Sequence, residues 1–434
     1  MNMKSLSRAV AGAAVLSAVI AVGATAAGGS FREPDVRVLH QFDGAGPPAT
    51  AYFGWAVSEL RDVDGDHVTD AIVGEAYSGA DHGTGTTWVY SGRTGRLIYR
   101  FDGAPGDNNG FSIADAGDTN GDHVHDILVG SPGNGAGHVD LYSGRTGALL
   151  HRFEGTQAGD AFGWSVSSAG DVDGDHRADV LIGAPQAFGA VGPGYAVIYS
   201  GRTYQPIRTL TGDVVRDRLG SGAGWTRDVN HDGVSDQILG AAHAGSGRHG
   251  QAYVYSGRTG ERLVTIDASP HGFNLGSFFV AGVGDVNRDG TPDVYAADYG
   301  DTTNGVDAQG NPSGRAGVYS GRDGHELLHW VGDAGAGLGP GRGAGDVNDD
   351  GHPDLIVGSY TSSSGAEQAG KVQIFSGADG SLLRTITSTT ANEQLGFDAV
   401  GLGDTNHDDV PDELVSAANG DHVYVIAGRK PRHH

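Results

Sequence analysis

The sequence predicts an all-β fold, a seven-bladed β-propeller with an N-terminal strand closing the last blade. Three observations carry that expectation. An acidic nine-residue loop returns seven times, at a spacing of about 57 residues. Between copies the chain breaks into short apolar runs bounded by Gly, Asp and Asn, four to a repeat. The last repeat lacks its fourth run, and an orphan run stands ahead of the first. Self-similarity at such a period outranks length as a guide to architecture. The 434 residues therefore read as one repeat domain rather than about three unrelated ones.

The loops occupy residues 62–70, 118–126, 171–179, 228–236, 285–293, 346–354 and 404–412. Position 1 is Asp62, Asp118, Asp171, Asp228, Asp285, Asp346 and Asp404. Position 5 is Asp66, Asp122, Asp175, Asp232, Asp289, Asp350 and Asp408, and position 9 is Asp70, Asp126, Asp179, Asp236, Asp293, Asp354 and Asp412. Position 3 is Asp64 and Asp173 in two copies, and Asn120, Asn230, Asn287, Asn348 and Asn406 in the others. A hard cation such as calcium takes six to eight oxygens at roughly 2.3–2.6 Å, and alternate residues of a tight loop can converge on it. These four positions are candidate side-chain ligands. Position 7 (Val68, Val124, Arg177, Val234, Thr291, His352 and Val410) is the candidate for a backbone carbonyl ligand. The expected cofactor is calcium, up to seven ions, each stapling one blade. The loop is not an EF-hand, which runs to about twelve residues and ends in a bidentate Glu.

The copies differ in glycine. Loops one to three have Gly at position 4 and His at position 6 (His67, His123, His176), and loops four to six have Gly at position 6 (Gly233, Gly290, Gly351). Loop seven has neither, with His407 and Asp409 instead. Where a turn needs positive φ, Gly adopts it without steric cost, so the seventh site is expected to be the weakest. Histidines at the even positions, His231 included, read as exposed loop residues rather than ligands.

Each repeat then supplies its strands in the same order. A Gly-containing strand comes first, as in Phe53-Gly54-Trp55-Ala56-Val57 and Phe162-Gly163-Trp164-Ser165-Val166, with Leu-Gly versions at Leu219, Leu275, Leu338 and Leu395. Its glycine is attributed to crowding where the innermost strands converge on a central channel. The acidic loop leads into an apolar second strand, such as Ala71-Ile72-Val73-Gly74 or Leu355-Ile356-Val357-Gly358. A third strand ends in Tyr-Ser-Gly at Tyr90, Tyr142, Tyr199, Tyr255 and Tyr319, with a Phe variant at Phe375. A Gly-containing turn returns into a fourth strand, for example 97–101, 149–153 or 382–386. Short Val-, Ile- and aromatic-rich runs between turn residues read as strands, and four antiparallel strands per repeat make a propeller blade. The seventh repeat ends after a third strand, 423–426, while the orphan 36–42 resembles a fourth strand. That pairing closes the ring and removes two sheet edges.

The succession of Phe-Gly, Asp-rich loop, Ile182-Gly183-Ala184-Pro185 and Tyr-Ser-Gly resembles the FG-GAP repeat, the blade of the integrin α-subunit propeller and of many secreted bacterial proteins. The resemblance covers residues 36–428. It implies calcium in the loops between first and second strands, on a lower face, with ligands met on the opposite, upper face. Two departures limit it. Integrins usually carry the metal loop in three or four blades, whereas all seven have it here. Integrin leg and membrane segments have no counterpart, so integrin signalling does not carry over.

Composition bounds the partners. Residues 1–26 carry Lys4 and Arg8 ahead of an Ala-rich run and a small-residue site near Ala26, the pattern of a cleaved secretory signal. The mature chain is expected to be extracellular, without a membrane span, and monomeric. Cys is absent, so the fold is held by its core, its ladders and metal rather than disulfides. The net charge of −25 argues against nucleic acid, which needs a basic surface. The basic tail 429–434 is too small to change that.

His325-Glu326-Leu327-Leu328-His329 has the form of a zinc motif, HExxH. It falls where sister repeats have a fourth strand, and residues four apart on a strand lie roughly 13 Å apart, too far to share one ion. The remaining signal is where repeats differ. Loops joining second to third strands vary most: 298–315, 359–370 and 184–194. Glu75, Tyr77, His243, Asp298, Tyr299 and Tyr360 stand at the ends of second strands and are the candidate ligand-binding residues. Aromatic and acidic side chains on one face suit sugars or proteins. The expected function is a calcium-binding, adhesion-like recognition module without catalytic residues, for an extracellular protein or glycan. A polysaccharide lyase or glycoside hydrolase, and a structural envelope or matrix protein, remain the alternatives.

Overall fold

A computed structural model describes residues 31–44, 51–79, 83–187, 189 and 191–429. The expected signal segment 1–26 and the tail residues 430–434 lie outside the described residues. The chain forms seven four-stranded antiparallel sheets. After β1 (Val38–Asp43), the first blade runs β2 (Ala56–Leu60), β3 (Asp70–Glu75), β4 (Thr86–Tyr90) and β5 (Leu97–Asp102). Five further blades repeat that order, and the first strands of successive blades touch in a closed cycle around a central channel. Helix is confined to two short 3₁₀ turns, Ser246–Arg248 and Ala418–Gly420. No helix among the described residues is long and apolar enough to cross a membrane.

The ring closes as the sequence predicts. β1 pairs with His422–Ile426 as the outer strand of blade seven, with Phe42 opposite Val423 and Gln41 opposite Tyr424. The strand begins at Val38 and extends to Asp43, a small shift from the expected 36–42. Phe42 stacks on Tyr90 of blade one at 4.1 Å, as Phe101 stacks on Tyr142 at 3.9 Å and Phe153 contacts Tyr199 at 4.6 Å. In blades one, two and three the tyrosine of Tyr-Ser-Gly thus receives an aromatic ring from the preceding blade's outer strand. In blade six Phe375 receives Trp330 at 4.7 Å, whereas the outer strands of blades three and four carry Leu210 and Ile266 at that place.

Burial explains the strand patterns. Every residue of β3 is buried, and the same holds for the second strands Asp126–Ser131 and Asp354–Ser359. A second strand lies in the middle of a sheet packed on both faces by neighbouring blades, so it reads as a continuous apolar run. The core is divided into clusters that each join two adjacent blades. One contains Leu60, Ile72 and Phe101 with Ile113 and Ile127; another joins Phe42, Val423 and Leu414 of blade seven to Phe53 and Val57 of blade one.

The glycine that opens each first strand answers to the preceding blade rather than to the channel. Gly54 and Gly163 have φ of +86° and +89°, and a Cβ on them would lie 2.7 Å from the Val423 side chain and 2.6 Å from the carbonyl oxygen of His138. A Cβ on Gly74 would lie 2.1 Å from the carbonyl oxygen of Gly110, which opens the next blade, and Gly130 stands in the same relation to Gly163 at 2.2 Å. The tight approach is between blades, backbone against backbone, at the upper end of the second strand.

Loss of β1 should expose the edge of His422–Ile426. Deleting residues 31–43 is expected to give a chain that aggregates on heating. Phe42→Ala alone should cost about 3–5 kcal/mol in denaturant unfolding. A deletion variant as soluble and stable as the full chain would count against closure by this strand.

Candidate metal loops on one face and an aromatic channel mouth on the other

All seven acidic loops fold alike. The position 1 carboxylate accepts backbone N–H groups from within its own loop: Asp62 takes Gly65 (2.6 Å) and Asp66 (3.1 Å) on Oδ1 and His67 (2.7 Å) on Oδ2. Asp228, Asp346 and Asp404 take the amides of positions 5 and 6 in the same way. The position 5 carboxylate accepts the N–H of position 7, as Asp66 does from Val68 at 2.9 Å. Arg145 and Arg258, next to Tyr-Ser-Gly, lie 3.4 and 3.5 Å from the position 5 carboxylates Asp122 and Asp232.

Position 9 is buried in every copy. One oxygen of Asp70 accepts the N–H of Val63 at position 2 (2.9 Å), and the other that of Gly92 in Tyr-Ser-Gly (3.1 Å). The equivalents run from Val229 and Gly257 to Asp236, and from Val347 and Gly377 to Asp354. This carboxylate ties the loop, the second strand and the end of the third strand together. Burial pushes Asp70 and Asp179 up to about 7, and Asp236, Asp293 and Asp354 up to about 6. In loops two and seven position 2 is threonine, and the hydroxyls of Thr119 and Thr405 donate to Asp126 (2.5 Å) and Asp412 (2.6 Å).

The donor set fits a hard divalent cation. One oxygen each from Asp62, Asp64 and Asp70 lies within 4.8 Å of the others, and the same holds for Asp171, Asp173 and Asp179. These are the two loops with Asp at position 3. The position 5 residues Asp66 and Asp175 lie outside those groups, turned toward the position 7 amide. In loops two and seven the position 3 amides Asn120 and Asn406 donate to Asp126 and Asp412, each at 3.0 Å.

The turn needs two left-handed residues, not one. Positions 4 and 6 both have positive φ: Gly65 +87° and His67 +69° in loop one, His231 +59° and Gly233 +89° in loop four. Loops one to six meet one requirement with glycine. Loop seven meets both with side-chain residues, His407 at +63° and Asp409 at +62°.

The opposite face holds the mouth of the channel, where the first strands begin. A cavity of about 410 Å³ opens there. Its wall is a chain of rings: Phe397 to Trp55 at 5.3 Å, Trp55 to Phe111 at 5.4 Å, Phe111 to Trp164 at 4.7 Å and Trp164 to Phe278 at 5.5 Å. Tyr360 meets Phe397 edge-on at 5.5 Å, and Tyr299 meets Phe279 at 6.3 Å. Deeper in, Arg342 pairs with Asp398 at 2.6 Å. Asp398, the single carboxylate on the wall, also accepts the N–H groups of Val57 and Ala399, each at 2.9 Å.

The six candidate ligand residues separate. Tyr299 and Tyr360 line the cavity, and Tyr77 lies beside it, 5.0 Å from Trp55. His243 is partly exposed and away from the cavity lining. Glu75 and Asp298 do not ring an exposed face: each is 1 % exposed. Glu75 accepts from Trp88 Nε1, and Asp298 accepts the amides of Phe273, Asn274 and Gly300, fixing the turn that leads into blade five. A second strand in mid-sheet buries its last residue too. The wall residues Trp55, Phe111, Trp164 and Phe397 were not singled out from sequence. The signal was present, since each follows the Gly that opens its blade. The HExxH segment lies on the strand Glu326–Val331, where His329 pairs with Glu326 at 2.6 Å and His325 with Asp323.

The buried position 9 aspartates set a pH dependence for the metal-free chain. A carboxyl with a raised folded pKa stabilises the fold fully below its unfolded value, about 3.9, and that contribution is lost as pH rises through the folded value. In excess chelator the melting temperature is expected to fall as pH rises from about 4 to above 7. A flat or rising profile would overturn this account.

The loops and blades can now be compared with known proteins. The model of the FG-GAP repeat matches residues 162–199 and 343–375, in blades three and six. Integrin alpha-V of Gallus gallus is 28% identical over 211 residues, 44% of this chain and 20% of that protein. Integrin alpha-5 of Xenopus laevis is 32% identical over 218 residues (45% and 20%), and Integrin alpha-8 of Homo sapiens 28% over 247 residues (51% and 22%). The chain therefore spans about a fifth of the length of these curated relatives. It is a seven-bladed, integrin-alpha-like propeller that carries FG-GAP repeats.

Proposed function

We propose that this chain is a secreted, calcium-stabilised recognition module, non-catalytic, whose upper face meets an extracellular protein or glycan at the channel mouth. The observation that carries the reading is the continuous aromatic wall around a cavity on the face away from the acidic loops. Repeats preserve what every blade needs, whereas a ligand meets the ring once. The mouth is where the blades cease to be alike: Trp55, Phe111, Trp164 and Phe397 stand where blade four has Ser221 and blade six Pro340. The non-catalytic part rests on Asp398, whose oxygens are engaged by Arg342 and two amides.

In the loops the ligands would be the carboxylates or amides of positions 1, 3, 5 and 9 with a carbonyl from position 7. Calcium supplies charge neutralisation for acids that otherwise crowd one another. More carboxylates raise affinity, so loops one and three, with Asp64 and Asp173, fill first, and loop seven fills last. A ligand bound only by the folded state adds about 2.7 kcal/mol per site at a hundredfold excess over Kd.

Two outcomes test the reading. Calcium should raise the melting temperature steeply over excess EGTA, with Asp62→Ala lowering it; an unchanged melt after verified metal removal would sink the metal role. Replacing residues 302–312 by a short Gly-Ser turn spares the Asp298 cap and Tyr299. It should leave folding and metal content intact but weaken binding in a protein and glycan array. Full binding by that variant would move the ligand off this part of the upper face.

A further inference from the structure

We propose that the channel mouth is a carbohydrate-binding cup that takes one pyranose ring of a glycan, an inference that rests on the upper-face recognition reading. The volume, about 410 Å³, falls in the range of small-molecule sites, roughly 300–1,000 Å³. It is a half-open hollow rather than a broad flat surface. Its walls are aromatic faces and edges, and the C–H face of a pyranose carries partial positive charge that meets the negative face of such rings.

A sugar also needs polar groups that fix its hydroxyls, and the cup holds them. Arg342 uses only one Nη on its protein partners, reaching Asp398 at 2.6 Å and Val57 O at 3.3 Å. Among the described residues its Nε and other Nη find no acceptor, and its side chain is 27% exposed. Gln394 on the lining likewise carries a side-chain amide without a hydrogen bond among the described residues. Apolar walls with a few convergent donors and acceptors are the composition of a small-ligand site. The guanidinium on the floor weighs against a cationic side chain of a protein partner, because Asp398 is already neutralised by Arg342.

The cup is also held in a strained form. Phe278 has φ of +68°, and a bulky residue in the left-handed region is an outlier. Its N–H donates to Ser221 O at 3.0 Å, pulling the ring across the gap left by blade four to within 6.0 Å of Phe111. Strain of this kind persists where the surroundings over-determine it and gathers at ligand sites.

The test titrates the full chain, with calcium present, against glucose, galactose, N-acetylglucosamine and glucuronic acid and their oligomers, following tryptophan fluorescence and calorimetry. At least one saccharide should bind saturably. Arg342→Gln, and independently Gln394→Ala on the rim, should weaken it, the former roughly tenfold or more. Melting temperatures of both variants are measured alongside, and Gln394→Ala breaks no side-chain hydrogen bond among the described residues. Saccharide binding that neither variant changes would overturn the placement. If no saccharide binds while a protein ligand binds with the same dependence on Arg342 and Gln394, the carbohydrate proposal fails and the recognition reading stands. No binding of either class in arrays would overturn both.

Discussion

A buried carboxylate, repeated seven times, organises this molecule. The aspartate at position 9 of each acidic loop receives one amide from the start of its own loop and one from the glycine that ends the third strand. Burying a carboxylate is expensive unless its oxygens are hydrogen-bonded, so each copy forces three chain segments into one arrangement. The same constraint delivers the loop's other acids to a common centre, as Asp62 and Asp64 beside Asp70. The structural tether is also a candidate cation ligand, so the stability of each blade answers to the protonation of this carboxylate.

Between blades the interactions are of another kind. Apolar clusters join neighbours two by two, and rings from three outer strands, Phe42, Phe101 and Phe153, rest on the next blade's tyrosine. Glycine backbones meet directly at the upper end. These contacts are local and repeat around the circle, which is why an N-terminal strand can complete the last blade. Phe42 supplies to Tyr90 the same stacked ring that Phe101 supplies to Tyr142. Closure covers the edge of His422–Ile426 and gives blade seven the same four strands as the others.

Closure also creates the channel mouth. Seven first strands begin at one circle, so residues some 50 positions apart in the chain, such as Trp55, Phe111 and Trp164, become neighbours. Blade four contributes a serine and blade five answers with Phe278 in a strained backbone, so the wall is continuous although the repeat is not. Arg342, held by Asp398, sits where other blades place Ser58 or Ala114, and gives the interior a charged donor.

The sequence alone determined the all-β class, the seven blades, the order of strands within each and the closing strand. These follow from periodicity and turn residues, which act over a few residues and repeat. It also marked the acidic loops, because ligands in alternate positions are a local pattern. Tertiary structure decided what depends on distant segments meeting. The glycine that opens the first strand is required by its positive φ and by the preceding blade lying against it, not by the channel. Glu75 and Asp298 are acids near a loop in the sequence but are buried in the fold, since their strands run through mid-sheet. The aromatic wall could be seen only once the ring had closed, because its members share a cavity through blade order rather than through spacing in the chain.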